Sequence, residues 1–156
     1  MQRRLLSGTY ECTLDDRNRI AVPARVRDRF ADGAVAAWWI DPHSVILVPR
    51  LEWPDLLDMT LGAPSLLDTD SRELRRYLHA GAFEQESLDR QGRIAIPGEL
   101  REHGGLNGRV RVIGVGEYLE VWDPSRLDDR FNAIHEGVSD LAIRVRAANA
   151  TSPAAP

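Results

Sequence analysis

Two pairs of an aspartate and an arginine have the side chains needed to bind another polar molecule. Asp15 precedes Arg19 by four positions, and Asp89 precedes Arg93 by the same spacing. An arginine at the exit of a turn can reach the edge of a base pair and donate to guanine O6 and N7, a contact worth about 1–3 kcal/mol of discrimination. Alternatively, each arginine forms an ion pair with the aspartate of its own turn and holds that turn together. The motif alone leaves both interpretations open.

These motifs belong to a longer internal repeat. Residues 14–27 read LDDRNRIAVPARVR and residues 88–101 read LDRQGRIAIPGELR, with an offset of 74 positions and seven of fourteen residues identical. Asn18 aligns with Gly92, and these are the residue types that most readily adopt a left-handed backbone. The offset also aligns the apolar segments that follow in each copy. The chain therefore contains a duplicated unit of about 45 residues.

Each unit is predicted to hold four short strands, with the motif in the turn between the first two, which form a hairpin-like element. A proline after the second strand begins a short helix. The predicted ranges in the two units are 9–14 and 83–88, 19–22 and 93–96, 24–30 and 98–103 (the helix), 35–40 and 109–113, and 45–48 and 118–122. Because a unit of this size cannot bury both faces of its strands alone, we expect the two copies to pack as a pseudo-symmetric pair.

Helical segments account for the rest of the chain. Between the units, Asp70 and Glu73 have the spacing of a capping box ahead of an apolar stripe. After the second unit, Asp123 and Pro124 are typical of a helix start, and a coiled-coil-like stripe follows, with Gly137 in its middle. The predicted fold class is mostly β with flanking helices (α+β). The predicted segments are a first unit at 7–51, a helical linker at 52–80, a second unit at 81–125, a C-terminal helix at 126–146 and a disordered tail at 147–156.

The composition is that of an ordinary folded protein, with 43% hydrophobic and 28% charged residues. All 20 basic residues are arginine, and 24 acidic residues bring the net charge to −4, so any surface that attracts nucleic acid must be local. The single Cys12 and the lack of a secretory signal favour a cytoplasmic location. The longest apolar run, 33–40, is far shorter than the roughly 20 residues of a spanning helix, so we expect no membrane partner.

The sequence contains no recognisable enzymatic motif. The four histidines are far apart and lack metal-site spacing, and neither a GxSxG nor a P-loop is present. Asp15 and Asp89 each have an arginine within four residues, which would keep both carboxylates ionised and unsuited to acid–base catalysis. We therefore predict that the protein is not an enzyme and has no cofactor, no metal and no small-molecule substrate.

The doubled pattern LDxxxRIAxPxxxR, the N-terminal GTYE and the helical segment between the units together resemble the MraZ family of bacterial regulators, over residues 7 to about 130. The resemblance implies a duplicated SpoVT/AbrB-like swapped-hairpin barrel with a pseudo-two-fold axis within one chain. It also implies a cytoplasmic, nucleoid-associated repressor that assembles into homo-oligomeric rings. The implied targets are repeated G-rich boxes of double-stranded DNA upstream of its own gene and of the division and cell wall gene cluster.

The resemblance places the DNA-contacting arginines of the family at Arg19 and Arg93, and together with the duplication it favours DNA contact over a purely structural ion pair. Other arginines near the motifs either contact phosphate or are simply solvated: Arg17, Arg25, Arg27 and Arg90. The residues predicted to shape the turns are Asp15, Asp89, Asn18 and Gly92. An oligomeric scaffold or a non-specific nucleoid-associated protein is the alternative, because an acidic chain with four tryptophans also suits subunit packing.

Overall fold

Short strands and helices alternate along the chain in a mixed α+β fold with a mostly antiparallel sheet. The computed structural model describes residues 4–63, 65 and 67–152, and within them it has eight strands and four α-helices. In chain order these are β1 (Thr9–Thr13), β2 (Arg19–Ala21), β3 (Ala34–Trp38), β4 (Val45–Pro49), α1 (Trp53–Leu61), α2 (Thr69–Ala80), β5 (Ala82–Gln85), β6 (Arg93–Ala95), α3 (Gly98–Gly104), β7 (Arg109–Gly114), β8 (Leu119–Trp122) and α4 (Pro124–Thr151).

Six of the strands form one antiparallel sheet in the order β1-β7-β8-β4-β3-β5. Three of its pairings join the two copies of the repeat, one in the middle of the sheet between β4 and β8 and two at its edges. β1 of the first copy pairs with β7 of the second, with Glu11 opposite Arg111, and β5 of the second copy pairs with β3 of the first, with Phe83 opposite Ala36. Each copy therefore supplies an edge strand to the other.

The predicted hairpin-like pairing of 9–14 with 19–22, and of 83–88 with 93–96, is wrong. β2 pairs with β6 in a separate two-stranded ribbon, in which Ile20 lies opposite Ile94. Both isoleucines are fully buried in the core on one face of the six-stranded sheet. The chain turns out of the sheet after β1 because this placement removes both side chains from water, which a hairpin extending the sheet edge would not do.

Each face of the six-stranded sheet is covered by its own apolar cluster. The β2–β6 ribbon covers one face, where its isoleucines pack with Leu47 and Val112. On the other face, α1 and α2 contribute Leu56, Leu57 and Leu78 to a cluster with Ile46 and Val48 of β4. Burial on both faces explains why β4 is a continuous apolar run rather than an alternating one.

The shorter helices differ in detail from the prediction. In the first copy, only Arg27–Phe30 is helical, as a 3₁₀ helix, whereas α3 of the second copy is a full α-helix. The tighter 3₁₀ geometry is usual for such short segments. α2 is capped by Asp68 rather than by Asp70, because the Asp68 carboxylate accepts a hydrogen bond from the backbone N–H of Asp70 at 3.1 Å. The linker also contains α1. The sequence predicts a helical linker at 52–80 but does not predict α1 as a separate helix.

The chain divides after Pro124 into two units, and the second consists of most of α4. Gly137 has φ −134° and ψ 20°, so the helix kinks there, as the low helix propensity of glycine suggests. The helix continues through 147–151, where the sequence predicted a disordered tail, because this segment is rich in alanine. Residues 153–156 of that predicted tail lie outside the described residues. Across the described part of the chain, no helix combines the length and the apolarity that crossing a membrane requires.

Candidate nucleic-acid interface

The two motif arginines lie on the outward face of the β2–β6 ribbon. Successive side chains of a strand point to opposite faces, and Ile20 and Ile94 point into the core. Arg19 and Arg93, each one residue earlier, therefore point away from it. Each arginine stands opposite an alanine of the neighbouring strand, so the outward face holds two long basic side chains beside two short ones.

Four side chains form a reciprocal network of ion pairs on this face, which we call the Asp–Arg clamp: Asp15, Arg19, Asp89 and Arg93. Within the turns, Arg19 Nε donates to Asp15 Oδ2 at 3.0 Å, and Arg93 Nε donates to Asp89 Oδ2 at 2.9 Å. Between the turns, Arg19 Nη1 donates to Asp89 Oδ2 at 3.2 Å, and Arg93 Nη1 donates to Asp15 Oδ2 at 3.0 Å. Each carboxylate thus binds both arginines, and the clamp joins the two copies.

The other oxygen of each aspartate shapes the backbone of its turn. Asp15 Oδ1 accepts hydrogen bonds from the backbone N–H groups of Arg17 at 2.9 Å and Arg19 at 2.8 Å. Asp89 Oδ1 accepts from the two matching N–H groups of its own turn, both at 2.9 Å. The backbone N–H of the motif arginine is the largest cause that lowers the pKa of each aspartate below its ordinary value. Both carboxylates therefore stay ionised and remain acceptors.

Each turn contains one residue with a left-handed backbone, Asn18 with φ 57° and Gly92 with φ 72°. At Gly92 the space for a side chain is already taken, since a Cβ there would lie 2.3 Å from Arg27 Nε. Arg27 is held in place because its Nε and Nη2 donate to Val22 O at 3.0 and 2.8 Å. Glycine at position 92 is therefore favoured by its φ, and any larger residue there would also displace the Arg27 side chain.

The arginines predicted to contact phosphate occupy two kinds of position. Arg17 and Arg90 are exposed at the tips of the turns, and Arg25 is exposed after β2. Within the described ranges, the side chains of these three form no hydrogen bond or ion pair. Arg27 and its counterpart Arg101 are half-buried instead, and each donates to a backbone carbonyl of its own copy. The first three are available to an external partner, whereas the last two hold local structure.

Two glutamines near the ribbon were not identified from the sequence. Gln91 is exposed at the tip of the second turn, where it aligns with Arg17 of the first. Gln85 Nε2 donates to Ala95 O at 3.0 Å, and Ala95 N donates to Gln85 Oε1 at 3.0 Å, so this side chain acts as an extra rung beside β6. The repeat offset could have indicated Gln91, but Gln85 had no signal in the sequence.

Other groups with reactive chemistry are not members of the Asp–Arg clamp. His43 Nδ1 lies 3.1 Å from His103 O, and the two imidazole centroids are 6.4 Å apart. Burial, followed by repulsion from His43, lowers the pKa of His103. Cys12 is half-buried, and burial raises the pKa of its thiol. In the part of the chain that the structure describes, no three His, Cys, Asp or Glu side chains are grouped to hold a metal ion.

Comparison with known proteins identifies similar sequences over most of the chain. Residues 5–76 and 78–144 match the family model described as MraZ protein, antitoxin-like. A protein of Oenococcus oeni named "Transcriptional regulator MraZ" is 34% identical over 138 residues, covering 88% of this chain and 94% of that protein. Proteins of the same name from Roseiflexus castenholzii and Moorella thermoacetica are 36% and 33% identical, covering 86% and 89% of this chain and 92% and 100% of their own length.

Proposed function

Because the chain belongs to the MraZ family, we propose that it is a transcription regulator that recognises specific DNA sequences through the outward face of the β2–β6 ribbon. Transcription regulators are not a class of enzyme, and the proposal includes no enzymatic activity. The observation that carries this proposal is the clamped pair of arginines on that face, surrounded by exposed arginines that have no partner within the described residues.

The Asp–Arg clamp is compatible with base recognition by the same arginines. Arg19 and Arg93 direct Nε and Nη1 at the carboxylates, and Nη2 of each has no acceptor in the described parts of the chain. A guanidinium carries five N–H donors, so donors remain for guanine O6 and N7. The side chains are 24% and 26% exposed, which leaves an edge accessible. Ion pairing holds each arginine in one orientation and so reduces the entropy that binding must remove.

Exposed arginines around the clamp supply the attraction to phosphate in this proposal. Arg17, Arg25 and Arg90 are the candidates, because a side chain without an internal partner gives up no ion pair when it binds DNA. Arg27 is also close to the ribbon, although two of its nitrogen atoms bind Val22 O. A net charge of −4 makes this local concentration of arginine necessary for binding.

The proposal extends to fold, assembly and target. The β1–β7 and β5–β3 pairings support a duplicated SpoVT/AbrB-like swapped-hairpin barrel, because each copy exchanges its first strand. Family membership supports a homo-oligomeric ring in the cytoplasm, associated with the nucleoid. It equally supports repression through repeated G-rich boxes upstream of its own gene and of the division and cell wall gene cluster. A ring presents one ribbon per subunit. Once one ribbon binds a box, the others are held at a high effective concentration near the neighbouring boxes, so weak contacts with single boxes give a high overall affinity.

A gel-shift titration at two salt concentrations tests this function, with the DNA upstream of the chain's own gene beside a scrambled DNA of equal length. The variants are Arg19→Ala and, as a matched control, Arg76→Ala on α2. Arg76 is exposed and pairs with the exposed Glu73, and its helix packs on the other face of the sheet. We expect selective, salt-sensitive binding that Arg19→Ala abolishes and Arg76→Ala preserves. Light scattering should show the same oligomer for all three proteins.

Each other outcome points to a different alternative. Equal binding to both DNAs would indicate a non-specific nucleoid-associated protein, and binding to neither would indicate an oligomeric scaffold. Loss of the oligomer in Arg19→Ala would show that the ion pairs of the Asp–Arg clamp are structural and that the arginine does not primarily read DNA.

A further inference from the structure

Each end of the β2–β6 ribbon combines the turn of one copy with the segment that follows the short strand of the other copy. Val22 N donates to Gly92 O at 2.9 Å, so the second turn lies beside the segment that follows β2. Ile96 N donates to Asn18 O at 3.0 Å, so the first turn lies beside the segment that follows β6. Because the strands are antiparallel, these two junctions are at opposite ends of the ribbon.

One end of the ribbon is basic. Its side chains come from the second turn and from the segment after β2, and we call it the basic end: Arg25, Arg27, Arg90 and Gln91. Arg27 packs directly against Gly92 of the second turn, which confirms that the two segments meet. Arg25, Arg90 and Gln91 are exposed. None of the four residues is acidic.

The opposite end carries acids at the matching positions. We call it the mixed end: Asp16, Arg17, Glu99 and Arg101. The repeat offset aligns Asp16 with Arg90 and Glu99 with Arg25, so an acid stands where the basic end has an exposed arginine. Asp16, Arg17 and Glu99 are all exposed. The next acids along the chain, at positions 28 and 102, align with each other and so do not distinguish the two ends.

On the basis of the proposed function, we infer that this charge difference fixes the direction in which each subunit lies on DNA. A ribbon with equal ends would bind a duplex equally well after a 180° rotation, because the phosphate backbone looks alike from both directions. Unequal ends remove that equivalence. The basic end lies against phosphates, and the mixed end lies where Asp16 and Glu99 avoid phosphates and face hydrogen-bond donors such as the cytosine amino group. The subunit therefore reads a non-palindromic site in one direction.

A charge swap at one pair of matched positions tests the inference. The double variant Arg25→Glu/Glu99→Arg has the composition and the net charge of the parent chain, and it moves positive charge from the basic end to the mixed end. Fluorescence anisotropy should show about tenfold weaker binding to the upstream DNA, where the base sequence fixes the direction and a phosphate contact is replaced by a repulsion. Scrambled DNA fixes no direction, so the subunit can bind it after a 180° rotation, and its affinity for that DNA should change little. Unchanged affinity for both DNAs would overturn the inference.

Single substitutions provide a second measurement that does not depend on the double variant. Arg90→Ala should reduce the slope of log affinity against log salt by about 0.9, the value expected for one lost phosphate contact. The charge of Arg17 is already offset by Asp16 and Glu99. Arg17→Ala should therefore reduce the slope by less than half as much as Arg90→Ala does. Arg76→Ala serves as the control for a change in net charge. Equal reductions in Arg90→Ala and Arg17→Ala would contradict the inference.

Phosphate ethylation interference on a DNA with a single box measures direction directly. For the parent protein we expect interference on one flank of the box, and Arg90→Ala should lose it while Arg17→Ala retains it. Interference of equal strength on both flanks would overturn the inference and leave the proposed function intact. A parent protein that binds none of the DNAs would overturn the proposed function itself.

Discussion

Replacing Gly92 with alanine tests whether the clamped turn depends on the space that Arg27 occupies. The new Cβ would lie 2.3 Å from Arg27 Nε and 2.6 Å from its Cζ, so the guanidinium must move away. Movement breaks the hydrogen bonds from Arg27 to Val22 O, which are 3.0 and 2.8 Å long. The backbone at this position also has φ 72°, which alanine adopts only with strain.

The expected loss of stability is the sum of these effects. A left-handed alanine costs about 1–2 kcal/mol. The lost hydrogen bonds of a charged donor cost about 1.5–3 kcal/mol, and the reduced freedom of the unfolded chain returns about 0.4–1 kcal/mol. The free energy of unfolding should therefore fall by about 1.5–4.6 kcal/mol. For a chain of this size, that corresponds to a decrease in Tm of about 3–18 °C.

Urea unfolding followed by tryptophan fluorescence, at one fixed protein concentration, measures the free energy difference. Asn18→Gly is the matched control, since it places glycine at the aligned position of the other turn, and we expect its effect to stay below about 1 kcal/mol. The combination Gly92→Ala/Arg27→Ala removes the side chain that the new Cβ would strike. In the Arg27→Ala background, Gly92→Ala should cost only about 1 kcal/mol, the strain of the backbone alone.

Two results would refute this reasoning. If Gly92→Ala costs the same with and without the arginine at position 27, the contact between them has no energetic role. If Gly92→Ala in the parent chain costs less than about 0.5 kcal/mol, the size of an ordinary surface substitution, neither the backbone strain nor the steric conflict is present in solution.

Three further predictions concern pH and packing. Asp15 and Asp89 have lowered pKa values in the folded protein, so their stabilising effect is present above the ordinary value of about 4 and is lost as the pH falls through the lowered values. Urea unfolding at acidic pH should show this loss, and an equally steep loss in Asp15→Asn/Asp89→Asn would contradict the assignment. Burial and His43 lower the pKa of His103, so stability should also decrease as the pH falls below about 6.5; NMR titration of the His103 ring at its ordinary pKa would contradict this. Because the Ile20 side chain is fully buried, Ile20→Ala should destabilise the protein by about 2–5 kcal/mol and Ile20→Val by about 0.5–1.5 kcal/mol, and equal costs in urea unfolding would show that the site does not pack as described.

The positions of the strands could be predicted from the sequence, but not all of their partners. The apolar segments around Ile20 and Val45 indicate strands because local alternation and turn residues are sufficient evidence. The alternation of apolar and polar residues indicates which face of a strand is buried, but it does not indicate which other strand is its neighbour in the sheet. The pairing of β1 with β7 depends on how the two copies pack, which no local pattern contains. For the same reason, the sequence predicts the wrong partners for the first strands of both units.

The candidate site was partly predictable for a similar reason. The ion pair between Asp15 and Arg19 follows from their spacing around one turn, and it was one of the two interpretations of the motif. The bond from Arg19 to Asp89 could not be derived, because it exists only when β2 and β6 pair. The helix cap at Asp68 was missed because two aspartates stand close together at that helix start, and spacing alone favoured Asp70.

The exchange of edge strands also imposes an order on folding during synthesis. β1 leaves the ribosome early, yet Glu11 on this strand pairs with Arg111, a residue 100 positions later. At about 5–20 residues per second, roughly 5–20 s pass before β7 can reach β1. During that interval the nascent chain has unpaired strand edges, which readily pair with another chain. Neighbouring ribosomes on one message carry identical first copies, so the yield of correctly closed protein depends on how quickly each chain recruits its own second copy.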